Sequence, residues 1–258
     1  MKSRNPVIEF DTLQMYFADP YVVDIESAEG VLTVTQPTIG DLIKIGQKKF
    51  FSSLNTLITN TTSYRLPLWE IGIDWNIFSD FNLFVMLYQT IDSEVSKLIF
   101  DGMDLQSFKP YTIAKDGKEE IVLYNNESQI EINENVYFHF SQYLRSAFNM
   151  NPEEKFTKDS MLKEWYITKD KRQLEIDKKK DEVKNPTILP LLSSCVNHPG
   201  FKYNIEEVRN LTVAQFYDSV RRLQVYENCT AVLKGMFSGF VDSSKIKEDS
   251  YNFMREIK

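Results

Sequence analysis

The spacing of apolar and polar residues predicts a mainly helical chain whose clearest helix lies near the carboxyl end. Residues 211–240 hold a helix-start signal followed by a long run without Pro or Gly. Thr212 and Gln215 have the spacing of a capping box, in which each side chain accepts a hydrogen bond from the other residue's backbone N–H. Gly235 and Gly239 follow this run and are predicted to end the helix.

The same helix carries apolar residues on two opposite sides, because at 100° per residue the set Val213, Phe216, Val220, Leu223 and Ala231 lies opposite the set Val225, Cys229, Val232 and Met236. Such a helix is either sandwiched inside its own lobe or offers its second side to another chain. Tyr and Arg, which are common at protein interfaces, flank these sides. The candidate partner-binding residues are therefore Tyr217, Arg221, Arg222, Val225, Tyr226, Val232 and Met236.

The amino-terminal half mixes strand and helix patterns. Two β-branched runs at 21–26 and 31–36 predict a hairpin, and a helix is predicted from Thr38 to about residue 57. Gly46 lies inside that helix, which suggests either a close helix contact or a bend. The apolar stretch 66–75 is turn-like.

Three further signals follow along the chain. Ser79 is the expected cap of a helix that is apolar on several sides. The stretch 108–132 alternates like strands around Asp116 and Gly117, a strong hairpin signal, and we expect a small antiparallel sheet that the amino-terminal hairpin completes. Asn133 is the expected cap of a helix that ends before Asn151 and Pro152.

The charged stretch 153–184 separates two predicted lobes. Met161, Leu162, Trp165 and Tyr166 are expected to dock its first half, whereas the second half has too little apolar surface to be buried. The predicted fold class is α+β, predominantly α. Its parts are an α+β lobe with a small antiparallel sheet (1–152), a charged helical arm or linker (153–184), and a helical lobe (185–258) that ends in a helix over 249–258.

Composition narrows the classes of function. The chain has 258 residues, a formal net charge of −7 and a pI near 5.1, which argues against nucleic-acid binding because that depends on clustered Lys and Arg. Two cysteines give no disulfide framework, and the first residues lack the apolar core of a signal peptide. No apolar run approaches the roughly 20 residues of a membrane span. We expect a cytosolic protein without nucleic-acid or membrane partners.

Few residue patterns suggest chemistry. Cys195 and His198 have C-x-x-H spacing, but a metal site needs about four ligands, and a buried Cys beside a turn His is the simpler interpretation. His139 is expected to be a packing histidine. Glu70 and Asp74, flanked by tryptophans, are the best acid and base pair, although capping by Asp74 is favoured. There is no phosphate-cradling glycine loop. We therefore predict no catalytic, cofactor or metal residues.

The chain contains the stretches PTIGDLIKIGQKKFFSSL, LWEIGIDWNIFSDFNLF, NHPGFKYNIEEVRNLTVAQFYDSVRRLQVYENCTAVLKGMFSGF and NFMREI. These stretches resemble a family of uncharacterised proteins from the tail-gene regions of long-tailed phages that infect low-GC bacteria. Proteins of this size in such gene regions resemble tail assembly chaperones, which hold the tape-measure protein and the tube subunit until the tube polymerises. The family motifs carry no catalytic residues.

This resemblance implies a non-enzymatic protein of phage tail morphogenesis that acts in the host cytoplasm. Its expected partner is the tape-measure or tail tube protein, and self-association is also open. The alternative is a structural component of the virion in the neck, tail or baseplate. An enzyme with an unusual fold would need a cleft where Glu70, Asp74 or Cys195 converge.

Overall fold

The computed structural model describes residues 8–115, 118–181, 188–239, 244 and 246–255. It confirms a predominantly helical α+β fold, with eleven α-helices and two small antiparallel sheets among these residues. The chain forms two compact units. Unit 1 comprises Met1–Pro37 and Asp41–Thr187, and unit 2 comprises Thr38–Gly40 and Ile188–Lys258. The charged stretch 153–184 belongs to unit 1, while its separate role as an arm or linker stays a prediction.

The first eight helices and all described strands precede residue 182. The helices are α1 (Thr12–Phe17), α2 (Ile39–Ile45), α3 (Gln47–Ile58), α4 (Arg65–Glu70), α5 (Asp80–Leu87), α6 (Ser93–Ile99), α7 (Glu134–Phe148) and α8 (Ser160–Asp181). The strands are β1 (Tyr21–Val23), β2 (Leu32–Val34), β3 (Lys109–Lys115), β4 (Lys118–Asn125) and β5 (Ile130–Ile132). Unit 2 contains α9 (Leu189–Val196), α10 (Glu207–Asn210) and α11 (Val213–Phe237).

The helix predicted from Thr38 to about residue 57 is interrupted at Gly46. Gly46 has a φ of 96°, a conformation that costs glycine little and other residues more. α2 therefore ends at Ile45 and α3 begins at Gln47. Of the two alternatives for Gly46, the structure shows the bend. The stretch interpreted as turn-like was partly wrong, because it forms the short helix α4.

The strands form two separate sheets, and the expectation that the amino-terminal hairpin completes the second sheet was wrong. β1 pairs antiparallel with β2, and the other sheet has the order β3-β4-β5. The backbone N–H of Glu131 in β5 donates to Glu29 O at 2.8 Å, so the two hairpins meet outside the strand ladders. The β3–β4 pairing extends to Lys115 opposite Lys118. The predicted turn residues Asp116 and Gly117 lie outside the described residues.

The core of unit 1 is aromatic and is built around α7. Tyr137 stacks on Phe84 of α5 with ring centroids 4.7 Å apart. Phe140 meets Phe84 and Phe100 edge to face at 5.6 and 5.2 Å. Such pairs contribute about 0.5–1.5 kcal/mol beyond the burial of their area. The predicted cap is confirmed, since the Asn133 side chain accepts from the backbone N–H groups of Asn135 and Val136.

The first half of α8 packs on unit 1, but not through all the residues expected to dock it. Ile167 is buried with Leu68, Trp75 and Leu83, and Tyr166 packs beside them. The side chains of Met161, Leu162 and Trp165 are instead exposed. The reason is helical spacing, because Lys163, Ile167 and Asp170 share the side of α8 that faces α4 and the loop after it.

In unit 2, residues 38–40 pair with the segment before α11. Thr38 forms an antiparallel β-bridge with Thr212, and the Ile39 N–H donates to Leu211 O at 2.8 Å. The final helix predicted over 249–258 is wrong for the part that the structure describes. Residues 246–255 hold only a 3-10 turn at Glu248–Ser250. The Asn252 side chain accepts from the Met254 N–H, a local hydrogen bond that competes with helix formation.

Candidate functional site

α11 begins as the sequence predicts. The Gln215 N–H donates to Thr212 Oγ1 at 3.1 Å, and the Thr212 N–H donates to Gln215 Oε1 at 3.0 Å. The helix then passes through Gly235 and ends at Phe237. The prediction that Gly235 stops the helix was wrong, since a glycine inside a helix costs only about 1 kcal/mol relative to Ala. Gly239, with a φ of 76°, follows the end.

Both predicted apolar sides of α11 are buried over part of their length. Val213, Phe216 and Val220 are buried on the first side, and Val225 and Cys229 are buried on the second. Val225 is 9% exposed, so this candidate partner-binding residue offers little surface. Val232 and Met236 on the same side are half-buried. The partner-binding role of all these residues stays a prediction.

The polar candidates differ in what they contact. Tyr217 is half-buried with its ring edge against Phe216, and burial raises the pKa of its phenol. Arg221 Nη2 lies 3.9 Å from Asp218 Oδ1. Tyr217 and Arg221 are therefore partly engaged on α11 itself.

Arg222 and Tyr226 contact residues 246–255, which we call the carboxyl-terminal segment. Arg222 Nη1 donates to Arg255 O at 2.7 Å. The Tyr226 ring meets Phe253 edge to face at 5.7 Å. Tyr226 nevertheless keeps 47% of its surface exposed. Arg222 and Tyr226 thus contact the carboxyl-terminal segment and are still exposed to solvent.

A line of apolar side chains runs along the last three turns of α11. Tyr226, Leu233 and Phe237 are spaced by seven and four residues, which places them within about 40° of one another around the helix axis. Phe237 is 87% exposed and Leu233 is half-buried. We call these three residues the apolar stripe. The sequence reasoning missed Leu233 and Phe237, although their i, i+7 and i+11 spacing from Tyr226 is a readable signal.

The thiol and imidazole candidates have separate surroundings. Cys195 is buried, and burial raises the pKa of its thiol. His198 Nδ1 accepts from the Gly200 N–H at 3.0 Å, and its Nε2 lies 3.7 Å from Glu227 Oε1. His198 thus belongs to the turn after α9. Within the described ranges, no group of three or more His, Cys, Asp or Glu is arranged to hold a metal ion.

His139 and Asp74 also have structural partners. His139 Nδ1 is 3.1 Å from the Tyr21 hydroxyl, and burial lowers the pKa of the imidazole. Asp74 Oδ1 accepts from the Asn76 N–H at 3.0 Å, and its Oδ2 accepts from Lys163 Nζ at 2.5 Å. Glu70 is exposed at the end of α4. The carboxylate of Asp74 therefore stabilises a turn and holds α8.

One concave site was not predicted. A cleft of about 910 Å³ lies in unit 1 and is lined by residues of α5, β4, α7 and the segment before α8. Its lining residues are spread along the chain from Ser27 to Phe156, so no short sequence motif predicts the cleft. The cleft does not include Glu70, Asp74 or Cys195, the residues considered for catalysis.

No helix in the described part of the chain is both long and apolar enough to cross a membrane.

Comparison with protein families gives a match to one part of the chain, whereas no curated protein and no solved structure matches the chain. Residues 177–258 match the family model described as the YomV second domain, which is derived from Bacillus phage. The matched segment contains α9, α10, α11 and the carboxyl-terminal segment. The match supports a phage protein and leaves the resemblance to tail assembly chaperones a prediction.

Proposed function

We propose that this chain is a non-enzymatic protein of phage tail morphogenesis, a tail assembly chaperone that binds the tape-measure or tail tube protein. The observation that carries the proposal is the exposed apolar stripe, which lies in the segment matched by the phage family model. Exposed apolar surface that is grouped in this way is typical of interaction sites.

The chemistry of the stripe suits a reversible contact. Full burial of a large apolar side chain contributes about 1.5–3 kcal/mol, but Tyr226 is 47% exposed and Leu233 is half-buried, so binding gains less than three full burials. Association itself costs an estimated 4–15 kcal/mol or more in lost freedom of motion. The stripe alone therefore gives a weak complex, as required of a chaperone that must later release its partner. Tyr226 in the stripe and Arg222, one turn before it, are side chains of the kind enriched at binding hot spots.

The partner is expected to present an amphipathic helix or another apolar segment. A helix that lays its apolar side into a groove uses residues spaced by three, four and seven positions, and the stripe itself shows the spacings of four and seven. Assembly proteins expose such surfaces before they polymerise, so covering them delays self-association. Release follows when the growing tube offers a larger apolar contact.

Two experiments test the proposal. The tagged chain is co-expressed with the tape-measure protein or with the tube protein of the same phage, and we expect one of them to co-purify. Mass spectrometry of purified particles then distinguishes the two roles, because a chaperone is absent from the mature virion. Stoichiometric amounts of the chain in the particle would overturn the chaperone role and favour a structural component of the neck, tail or baseplate.

A further inference from the structure

We propose that the cleft in unit 1 binds a Lys- or Arg-bearing, partly apolar segment of a partner protein. The cleft has a volume of about 910 Å³, at the upper end of the roughly 300–1,000 Å³ usual for ligand sites. It is formed by the start of α5, one side of α7, residues 119–121 of β4 and residues 154 and 156. All of these elements belong to unit 1.

The first reason is charge. Among the described lining residues, one carries a cation, Arg145, and five carry a carboxylate, namely Asp80, Glu119, Glu120, Glu134 and Glu154. Carboxylates that line one concave surface focus a negative potential there and attract cationic groups. An anionic ligand is excluded by the same field.

The second reason is the state of Arg145, whose side chain is nearly buried, with the residue 4% exposed. Its Nε donates to Ile58 O and its Nη2 to Thr59 O, both at 2.7 Å, so Arg145 caps the carboxyl end of α3. Nη2 also lies 3.9 Å from Asp80 Oδ2. Nη1 has no hydrogen-bond acceptor among the described residues, although Arg145 lines the cleft.

Nη1 is not among the buried side-chain nitrogens without a partner, so water can accept from it in the free protein. A ligand that displaces this water from the cleft must itself carry an acceptor, because an unpaired buried donor costs free energy. The carbonyl oxygens of a peptide backbone are acceptors of this kind, and a polyamine has none. A segment of polypeptide therefore satisfies both Arg145 and the carboxylates.

The third reason is the apolar part of the lining. Ile77 is 80% exposed and Ile121 is also exposed, and both lie at the cleft beside Phe138 and Phe156. A purely polar cation leaves these side chains in water. A segment with alternating basic and apolar residues covers them and also reaches the carboxylates.

This inference is independent of the function proposed for α11. The described residues that line the cleft all belong to unit 1. If the cleft does not bind its segment, the function proposed for the apolar stripe is unaffected. If the stripe does not bind a tail protein, the proposal for the cleft is unaffected.

The test uses the full chain and a short fluorescein-labelled peptide of alternating Lys and Leu, with binding followed by fluorescence anisotropy. We expect saturable binding that weakens as salt screens the charges. Peptides with Glu in place of each Lys, or Ser in place of each Leu, are expected to bind far more weakly. Spermidine is expected to displace the Lys and Leu peptide only in part.

Two matched double variants locate the site. E134Q/E154Q removes two carboxylates of the cleft, and E164Q/E175Q removes two exposed ones from α8. Both change the net charge equally. We expect about threefold to tenfold weaker binding for the first pair only, with circular dichroism showing that both remain folded. Equal affinities of the two double variants, absence of peptide binding, equal binding of the Glu peptide, or complete displacement by spermidine would each overturn the proposal.

Discussion

Arg65 and Asp170 form a two-point ion pair between α4 and α8. Arg65 Nε and Nη2 donate to the two carboxylate oxygens of Asp170 at 2.5 and 2.6 Å. The guanidinium also lies 4.8 Å from the centre of the Tyr166 ring. With the buried Ile167, these contacts hold the first half of the charged helix on unit 1. Residues 171–178 of the same helix are exposed throughout.

Removal of the Asp170 charge is expected to loosen this half of α8. D170N keeps the size of the side chain but loses the charged, bidentate pair with Arg65, which is partly buried. Charge-assisted hydrogen bonds of this kind contribute about 1.5–3 kcal/mol. Urea unfolding should show a loss of that order, and hydrogen exchange in 160–170 should accelerate.

D177N is the matched control for Asp170. Asp177 is exposed on the same helix, where its Oδ1 accepts from Gln173 Nε2. Its replacement is expected to change stability by less than about 0.5 kcal/mol. Equal effects of D170N and D177N would show that the Arg65 pair does not hold the helix.

The ion pair between Asp74 and Lys163 predicts a dependence of stability on pH. Burial raises the pKa of Asp74, but hydrogen bonds from Lys163 and Asn76 outweigh it and hold the pKa below its ordinary value of 3.8. Because the folded pKa is lowered, the stabilisation is fully present above pH 3.8 and is lost as the pH falls through the folded value.

Comparison with D74N measures this effect. Near neutral pH we expect the variant to be less stable than the native chain by about 1 kcal/mol. The difference should shrink below pH 3.8, where the native Asp74 becomes protonated in the unfolded state and then in the folded state. Thermal unfolding across acid pH provides the measurement, and a constant difference would contradict it.

The capping box of α11 is expected to contribute measurably to the stability of unit 2. T212A removes the hydroxyl that accepts from the Gln215 N–H. Loss of such a cap costs about 1 kcal/mol, within a range of about 0.5–2. T168A is the control, since that hydroxyl donates to the Glu164 carbonyl on an exposed face of α8. Denaturant melts that place both variants at the same midpoint would count against the cap.

Phe253 is expected to hold the carboxyl-terminal segment on α11. F253A removes the edge-to-face contact with Tyr226, a contact of about 0.5–1.5 kcal/mol. Hydrogen exchange in 246–255 should accelerate in this variant. M254A, at a neighbouring and more exposed side chain, should leave the exchange unchanged. If both variants exchange at the native rate, another contact holds the segment.

Local signals in the sequence predict several helix starts correctly. The side chains of Ser79, Asn133 and Thr212 each accept backbone hydrogen bonds at the start of the expected helix. These residues are readable because a cap involves only the next three positions. The break at Gly46 and the absence of a helix over 249–255 are harder to predict from the sequence, since they depend on the backbone conformation in the folded chain.

The two candidate sites were harder to predict than the helices. The apolar stripe was missed in part because Phe237 follows Gly235, which was expected to end α11. The cleft was missed because Asp80, Glu120 and Arg145 are distant in sequence and meet only through the packing of α5, β4 and α7. Motif spacing finds residues that act together on one element, whereas sites of this kind are assembled by tertiary contacts.

The most direct test of the central claim is co-purification with two matched serine variants. F237S removes the most exposed aromatic side chain of the stripe, and F17S removes an exposed Phe from α1 of unit 1. Each tagged variant is co-expressed with the tape-measure protein and, separately, with the tube protein of the same phage. We predict that F237S loses the partner while F17S and the native chain retain it. Retention of the partner by F237S at the native level would contradict a chaperone that works through α11.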